Sequence, residues 1–289
     1  MRIPAPIVRT ALHLTAGWLT PDALPIGLQR TGLELAMSLP PGPQVADSCE
    51  GGVSGERHRH RAGHTRALLY LHGGGYCIGS PRTHRRVVAH LARALEAEAF
   101  VPAYRLAPEH PYPAGLADTV TAYVSLSERF EEVVVAGDSA GGGLTLALAI
   151  HARDHRLRQP TALGLICPWL DLVGPHQDTG DPLITSARLE YWKNAYASSS
   201  QTQPEVSPVM ADLNGLAPIV LHSAGDDPLL ADAEKLAERI KVEHRRHPGT
   251  FHAFHALAGV LNEADEALDA LAVSLRLHVA NRSSMSIAA

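Results

Sequence analysis

The apolar positions between residues 67 and 279 fall into two alternating periods. Short unbroken runs at Ala67–His72, Ala99–Tyr104, Val133–Ala136, Leu163–Cys167 and Ile219–Ala224 have the length and aliphatic content of buried strands. A weaker run, Val242–His247, reads as a last strand. Between them stand segments with helical spacing. Thr83–Ala97 sets Val87, Val88, Leu91, Ala94 and Leu95 on one face, and Asn262–Val279 does the same with positions 264, 268, 271, 272, 275 and 279. Leu116–Phe130, Leu144–Ala152 and Leu230–Ile240 also read as helices. This alternation predicts an α/β fold with a mostly parallel central sheet and helices on both faces.

Three stretches stand outside the alternation. Residues 1–40 precede the first strand, and residues 174–215 separate a pair of strands with a Pro-, Ser- and aromatic-bearing segment. A gap of that length inside an α/β core reads as an insertion with its own function. Residues 40–64 predict a linker with short hairpin strands at most. Within and just past it, the basic run ERHRHRAGHTR at 56–66 reads as a solvated hairpin turn, in preference to a metal site on His58, His60 and His64. The small, polar Ser283–Ala289 predicts a disordered tail. No internal repeat is found, so residues 1–289 read as one domain.

Composition narrows the partners. The chain has 289 residues and a formal net charge of −5, which gives no reason to expect nucleic acid. Cys49, Cys77 and Cys167 are odd in number and widely spaced, which argues against a disulfide framework or zinc site and for a reducing, cytoplasmic setting. The apolar N-terminus is interrupted by Arg9 and His13 and reads as an amphipathic helix rather than a signal peptide. No run approaches the ~18 apolar residues of a membrane span.

The chemistry gathers at strand ends. Gly137-Asp138-Ser139-Ala140-Gly141 follows a strand and opens a helix, as a G-x-S-x-G nucleophile turn does. Such a turn strains the serine backbone, so the residues two before and two after must lack side chains. A phosphate-binding loop is the rival reading, but no lysine pattern supports it. His72-Gly73-Gly74-Gly75 ends another strand and exposes backbone N–H groups that could hold an oxyanion, with His72 as a structural brace. Either Asp226 or Asp227 could orient a base, and His252 or His255 could be that base. Ser139, then Asp, then His is the chain order of α/β hydrolases. The role of Asp138 stays open.

Together HGGGY at 72–76, YRLAPEHPYPA at 104–114, GDSAGGGL at 137–144, DPLLAD at 227–232 and HAF at 252–254 resemble the hormone-sensitive-lipase-like esterases, in the branch with GDSAG around the serine. The resemblance spans roughly residues 66–280. It implies an α/β-hydrolase fold, a Ser139, Asp227, His252 triad, and oxyanion donors from Gly73, Gly74, Gly75 and Ala140. It makes Glu109, Asp118 and Asp232 structural acids. Residues 1–40 and 174–215 would be a cap over the acyl pocket, with Tyr76, Trp192 and Tyr196 as candidate pocket residues or ordinary cap core. Pro102 departs from the acid or polar residue common there. The implied activity is serine carboxylic-ester hydrolysis of short- to medium-chain acyl esters, with no metal or cofactor, by a monomer or homodimer. A lactonase, amidase or deacetylase would use the same residues. A non-catalytic small-molecule receptor on this fold is the reading from another class.

Overall fold

A computed structural model of the chain describes residues 3–19, 24–37, 45–59 and 63–287. Eight strands form one sheet: β1 (Val45–Glu50), β2 (Val53–His58), β3 (Arg66–Leu71), β4 (Glu98–Pro102), β5 (Glu132–Asp138), β6 (Ala162–Ile166), β7 (Ile219–Ala224) and β8 (Glu243–His247). Their order is β1-β2-β4-β3-β5-β6-β7-β8. β1 pairs antiparallel with β2, and β2 antiparallel with β4; the remaining pairs are parallel.

Side-chain alternation along the central strands divides the interior into two cores. Leu69, Leu71, Val133, Val135, Leu163, Leu165 and Leu221 face one side, where they meet α4 (Ala114–Arg129), α5 (Ala140–Asp154) and α7 (Leu230–Arg239). Leu68, Tyr70, Val134, Ala136, Ile166 and Val220 face the other, against α3 (Arg85–Ala94) and α8 (Asn262–Ile287). A period of two with both faces covered explains why these strands read as unbroken apolar runs.

Three expectations change in detail. Within the 40–64 stretch the hairpin strands are longer than expected, since β1 and β2 pair over six residues each. The basic run is not simply solvated: its first residues lie in β2, Arg57 pairs with Glu50 and Glu98, Arg59 with Glu98, and Arg66 with Glu132. His60, Arg61 and Ala62 of that run lie outside the described residues. Helix also continues past the expected start of a disordered tail at Ser283, reaching Ile287. Residues 281–287 contain no glycine or proline to stop it. Residues 288–289 lie outside the described residues.

The N-terminal segment forms α1 (Ala5–Leu19) and α2 (Ile26–Ala36). It is tied down at several points. Ile3 bridges Leu261, Arg9 pairs with Asp226, and Arg30 makes two bonds to Glu109 and one each to the carbonyls of Cys77 and Ala107. The 174–215 insertion contributes α6 (Ser186–Ala197).

Candidate active site

The serine turn has the strained geometry its glycines foretell. Ser139 sits at φ 52°, ψ −122°, between the end of β5 and the start of α5. A Cβ on Gly141 would stand 1.9 Å from the Leu71 carbonyl oxygen, and one on Gly137 2.4 Å from that of Gly141. Any side chain at either position would push the turn apart. A strained, over-determined backbone of this kind is typical of functional sites.

Loops from two other strand ends converge on Ser139. His252 Nε2 lies 3.0 Å from Ser139 Oγ, and Nδ1 lies 2.9 Å from Asp227 Oδ2. A carboxylate only accepts, so Nδ1 carries the proton and Nε2 is left to accept from the serine hydroxyl. Burial pushes the His252 pKa down, but the Asp227 charge and hydrogen bond, joined by the Asp181 and Asp138 charges, together outweigh it and raise it above the ordinary 6.5. The Leu229 N–H donates to the other Asp227 oxygen at 2.8 Å. The alternatives fall elsewhere: Asp226 pairs with Arg9, and His255 sits fully buried with Nε2 3.8 Å from Asp138.

Asp138 acquires a role that sequence leaves open. Its Oδ1 accepts from the Tyr70 hydroxyl at 2.8 Å and from the Gly73 N–H at 3.1 Å, and His84 Nε2 lies 3.3 Å from Oδ2. Burial works against the charged carboxylate, but His84 and His255 hold its pKa well below the usual range. Asp138 therefore anchors the glycine loop from behind. This corrects one expectation: the Gly73 N–H is turned to Asp138, leaving Gly74, Gly75 and Ala140 as candidate oxyanion donors. His72 braces the same loop, its ring stacked on Tyr104 at 4.2 Å and its Nδ1 2.9 Å from the Gly73 carbonyl.

Above the serine lies a cavity of about 250 Å³. Ser139, Gly73, Gly74 and His252 border it below. Leu12, Gln29 and Leu33 come from the N-terminal segment, and Leu183, Ile184 and Trp192 from the insertion. The Trp192 indole N–H donates to Gln29 Oε1 at 3.1 Å, joining the two pieces. Of the three aromatics expected at the pocket, Trp192 alone lines it. Tyr76 and Tyr196 instead stack on each other at 3.8 Å, with Trp169 against Tyr76 and Tyr112 against Tyr196, and both are buried to 3% exposure.

One site-shaping residue is invisible to motif reading. Asp181, in the insertion, accepts the His252 N–H at 2.6 Å while its other oxygen caps the Leu183 and Ile184 N–H groups. Its only signal is an Asp-Pro-Leu repeat of residues 227–229. The acids expected to be structural do hold backbone or a neighbouring arginine: Asp232 accepts from the N–H groups of Leu170 and Asp171, Asp118 pairs with Arg105, and Glu109 with Arg30. The arrangement can deliver a hydroxyl nucleophile, an oriented base and backbone donors to one carbonyl carbon.

Known proteins share this architecture. The sequence profile of an α/β-hydrolase-fold family matches residues 68–256. LipR of Mycobacterium tuberculosis is 44% identical over 225 residues, 73% of this chain and 73% of its own. An acetyl-hydrolase of Streptomyces hygroscopicus is 34% identical over 254 residues, 83% of this chain and 84% of its own. The crystal structure of an esterase from the bacterial hormone-sensitive lipase family superposes with a TM-score of 0.88 at 31% identity, covering 95% of this chain and 98% of that one.

Proposed function

The chain belongs to the hormone-sensitive-lipase family of α/β-hydrolase-fold esterases, and from that premise we propose that it hydrolyses short- to medium-chain acyl esters through an acyl-enzyme on Ser139. The single observation that carries the assignment is the unbroken line Ser139 Oγ, His252 Nε2, His252 Nδ1, Asp227 Oδ2, at 3.0 and 2.9 Å. Ser139 attacks the ester carbonyl as His252 takes its proton. Asp227 holds the tautomer and stabilises the imidazolium. Gly74, Gly75 and Ala140 N–H groups receive the oxyanion, the alcohol leaves with the proton from His252, and water activated by His252 releases the acid.

The described parts of residues 1–40, through Leu12, Gln29 and Leu33, and the 174–215 segment, through Leu183, Ile184 and Trp192, act as the cap that reads the substrate. The cavity's 250 Å³ falls below the roughly 300–1,000 Å³ that holds drug-sized ligands, which supports a small acyl group over a long one. The Streptomyces relative's name, acetyl-hydrolase, points the same way. Three free cysteines support a cytoplasmic setting, and among the described residues no helix is long and apolar enough to cross a membrane.

The testing experiment is a series of p-nitrophenyl esters from acetate to palmitate. The expected kcat/KM is highest between acetate and hexanoate and falls steeply by palmitate. A palmitate preference would refute the small-acyl reading, and no turnover of any ester would favour an amidase or a receptor.

The charge state of His252 sets the pH dependence. Only the neutral imidazole accepts the serine proton, and its pKa is raised by Asp227. The kcat/KM should therefore rise with pH, with its acid limb centred above the 6.5 of an ordinary histidine. A limb centred below 6.5 would show that burial outweighs the carboxylates around the imidazolium.

A further inference from the structure

The catalytic acid and base have a neighbour that ester hydrolysis does not use. Cys167 follows β6 with φ 44°, a left-handed backbone rare for a side chain other than glycine. Its thiol is buried, lies against the Asp227 carboxylate and faces the backbone of Ala224 and Ala253. One ligand atom from each of Cys167, Asp227 and His252 lies within 4.8 Å of the others. We infer that Cys167, Asp227 and His252 form an inhibitory site for a soft divalent cation such as Zn²⁺ or Cd²⁺, which locks the enzyme off by taking His252 Nδ1.

The donor set is chemically suited. Thiolate and imidazole select Zn²⁺ and its softer relatives over Mg²⁺ or Ca²⁺. A thiolate, a carboxylate, a neutral imidazole and a dication sum to zero charge, which a buried site can hold. Burial, followed by the Asp227 charge, raises the thiol pKa far above its ordinary value, but direct coordination removes that proton. Ligand atoms around a tetrahedral zinc lie roughly 3.4–3.8 Å apart. No two of the three atoms stand more than 4.8 Å apart, so the thiol needs to close by at most about 1 Å while Asp227 Oδ2 and His252 Nδ1, now 2.9 Å apart, open by roughly half an ångström, a side-chain adjustment rather than a refolding. His252 borders the cavity, so water from it can complete the coordination.

Inhibition follows from the tautomer. In the active arrangement Nδ1 carries the proton and Nε2 accepts from Ser139. A metal on Nδ1 takes that lone pair, and the imidazole proton moves to Nε2. Nε2 then donates and cannot remove the serine proton. The only proton released to solvent is that of the Cys167 thiol, so the cation binds more tightly as pH rises. Inhibition, though not binding, rests on the proposed roles of Ser139, Asp227 and His252.

Cd²⁺ alone is the probe. Cys49 is exposed and is removed as Cys49→Ser in every protein compared. Adding Ser139→Ala uncouples binding from turnover. Titration of that double variant with Cd²⁺ should give a saturable thiolate-to-cadmium absorption band in the ultraviolet and a rise in melting temperature. Cys167→Ser, and separately Cys167→Ala, should remove the band and weaken binding by at least the roughly 10–100-fold that loss of an outer-shell partner costs, since a direct ligand is lost. With Ser139 restored, Cd²⁺ should inhibit ester hydrolysis at the same concentrations, and EDTA should reverse it. A band that persists in both Cys167 variants, or Cd²⁺ inhibition of equal potency in them, overturns the proposal. Because the titration needs no substrate, an enzyme that proved not to be an esterase would still give its answer.

Discussion

Ser139→Ala is expected to lower kcat for p-nitrophenyl butyrate by roughly 10⁵–10⁶-fold, the scale seen when a serine hydrolase loses its nucleophile. The substitution deletes one oxygen and leaves its surroundings in place. Alanine meets the same φ of 52° as serine, so no new backbone strain enters. The side chain is already buried at 5% exposure, and among the described residues the hydroxyl's one side-chain partner is His252 Nε2. The melting temperature should therefore shift by no more than a few degrees. Residual turnover would come from the glycine-loop donors and the cavity acting on bound water. A loss smaller than tenfold in a folded protein would remove Ser139 from the mechanism.

How much of this site can be read in the sequence depends on where each constraint lives. Ser139 and its glycines are legible because the constraint is local: a strained turn excludes side chains at 137 and 141 whatever surrounds it. The alternating strands and helices are legible for the same reason, since burial on both faces leaves period and run length in the chain itself. Asp138 is different. Its partners Tyr70, Gly73 and His84 come from β3 and from the loop and 3₁₀ turn that follow it, and no spacing rule links them to a serine turn. Knowing that an acid precedes the serine says nothing about which way its carboxylate points.

The aromatics make the same point from the other side. Tyr76, Trp192 and Tyr196 look alike as pocket candidates, but only Trp192 meets the cavity. The Tyr76–Tyr196 stack is decided by how α6 lies on the loop after β3, a packing outcome set by the whole insertion. Asp181 is hidden for a related reason. It acts through the backbone N–H of His252, across 71 residues of sequence, and a backbone partner leaves no residue type to recognise.

Asp227→Asn tests whether one carboxylate among several close to His252 carries the orienting role. Asp181 bonds the His252 backbone and Asp226 is adjacent in sequence, yet among the described residues Asp227 alone meets Nδ1, at 2.9 Å. An asparagine there can turn its amide N–H₂ toward Nδ1. The imidazole proton then moves to Nε2, which can no longer accept from Ser139. In a serine protease that exchange lowers kcat by about 10⁴-fold with the geometry intact, and a loss of the same order is expected here. The ionised form of His252 also loses its counter-charge, so the acid limb of kcat/KM should move down in pH toward or below that of an ordinary histidine. Asp226→Asn is the control. It breaks only the contact with Arg9 at a half-exposed site, and a pair so placed contributes little, so kcat should stay within about twofold. If Asp226→Asn were instead the crippling change, the assignment of the acid would be reversed, and the short line from Asp227 to Ser139 would have to be a structural coincidence.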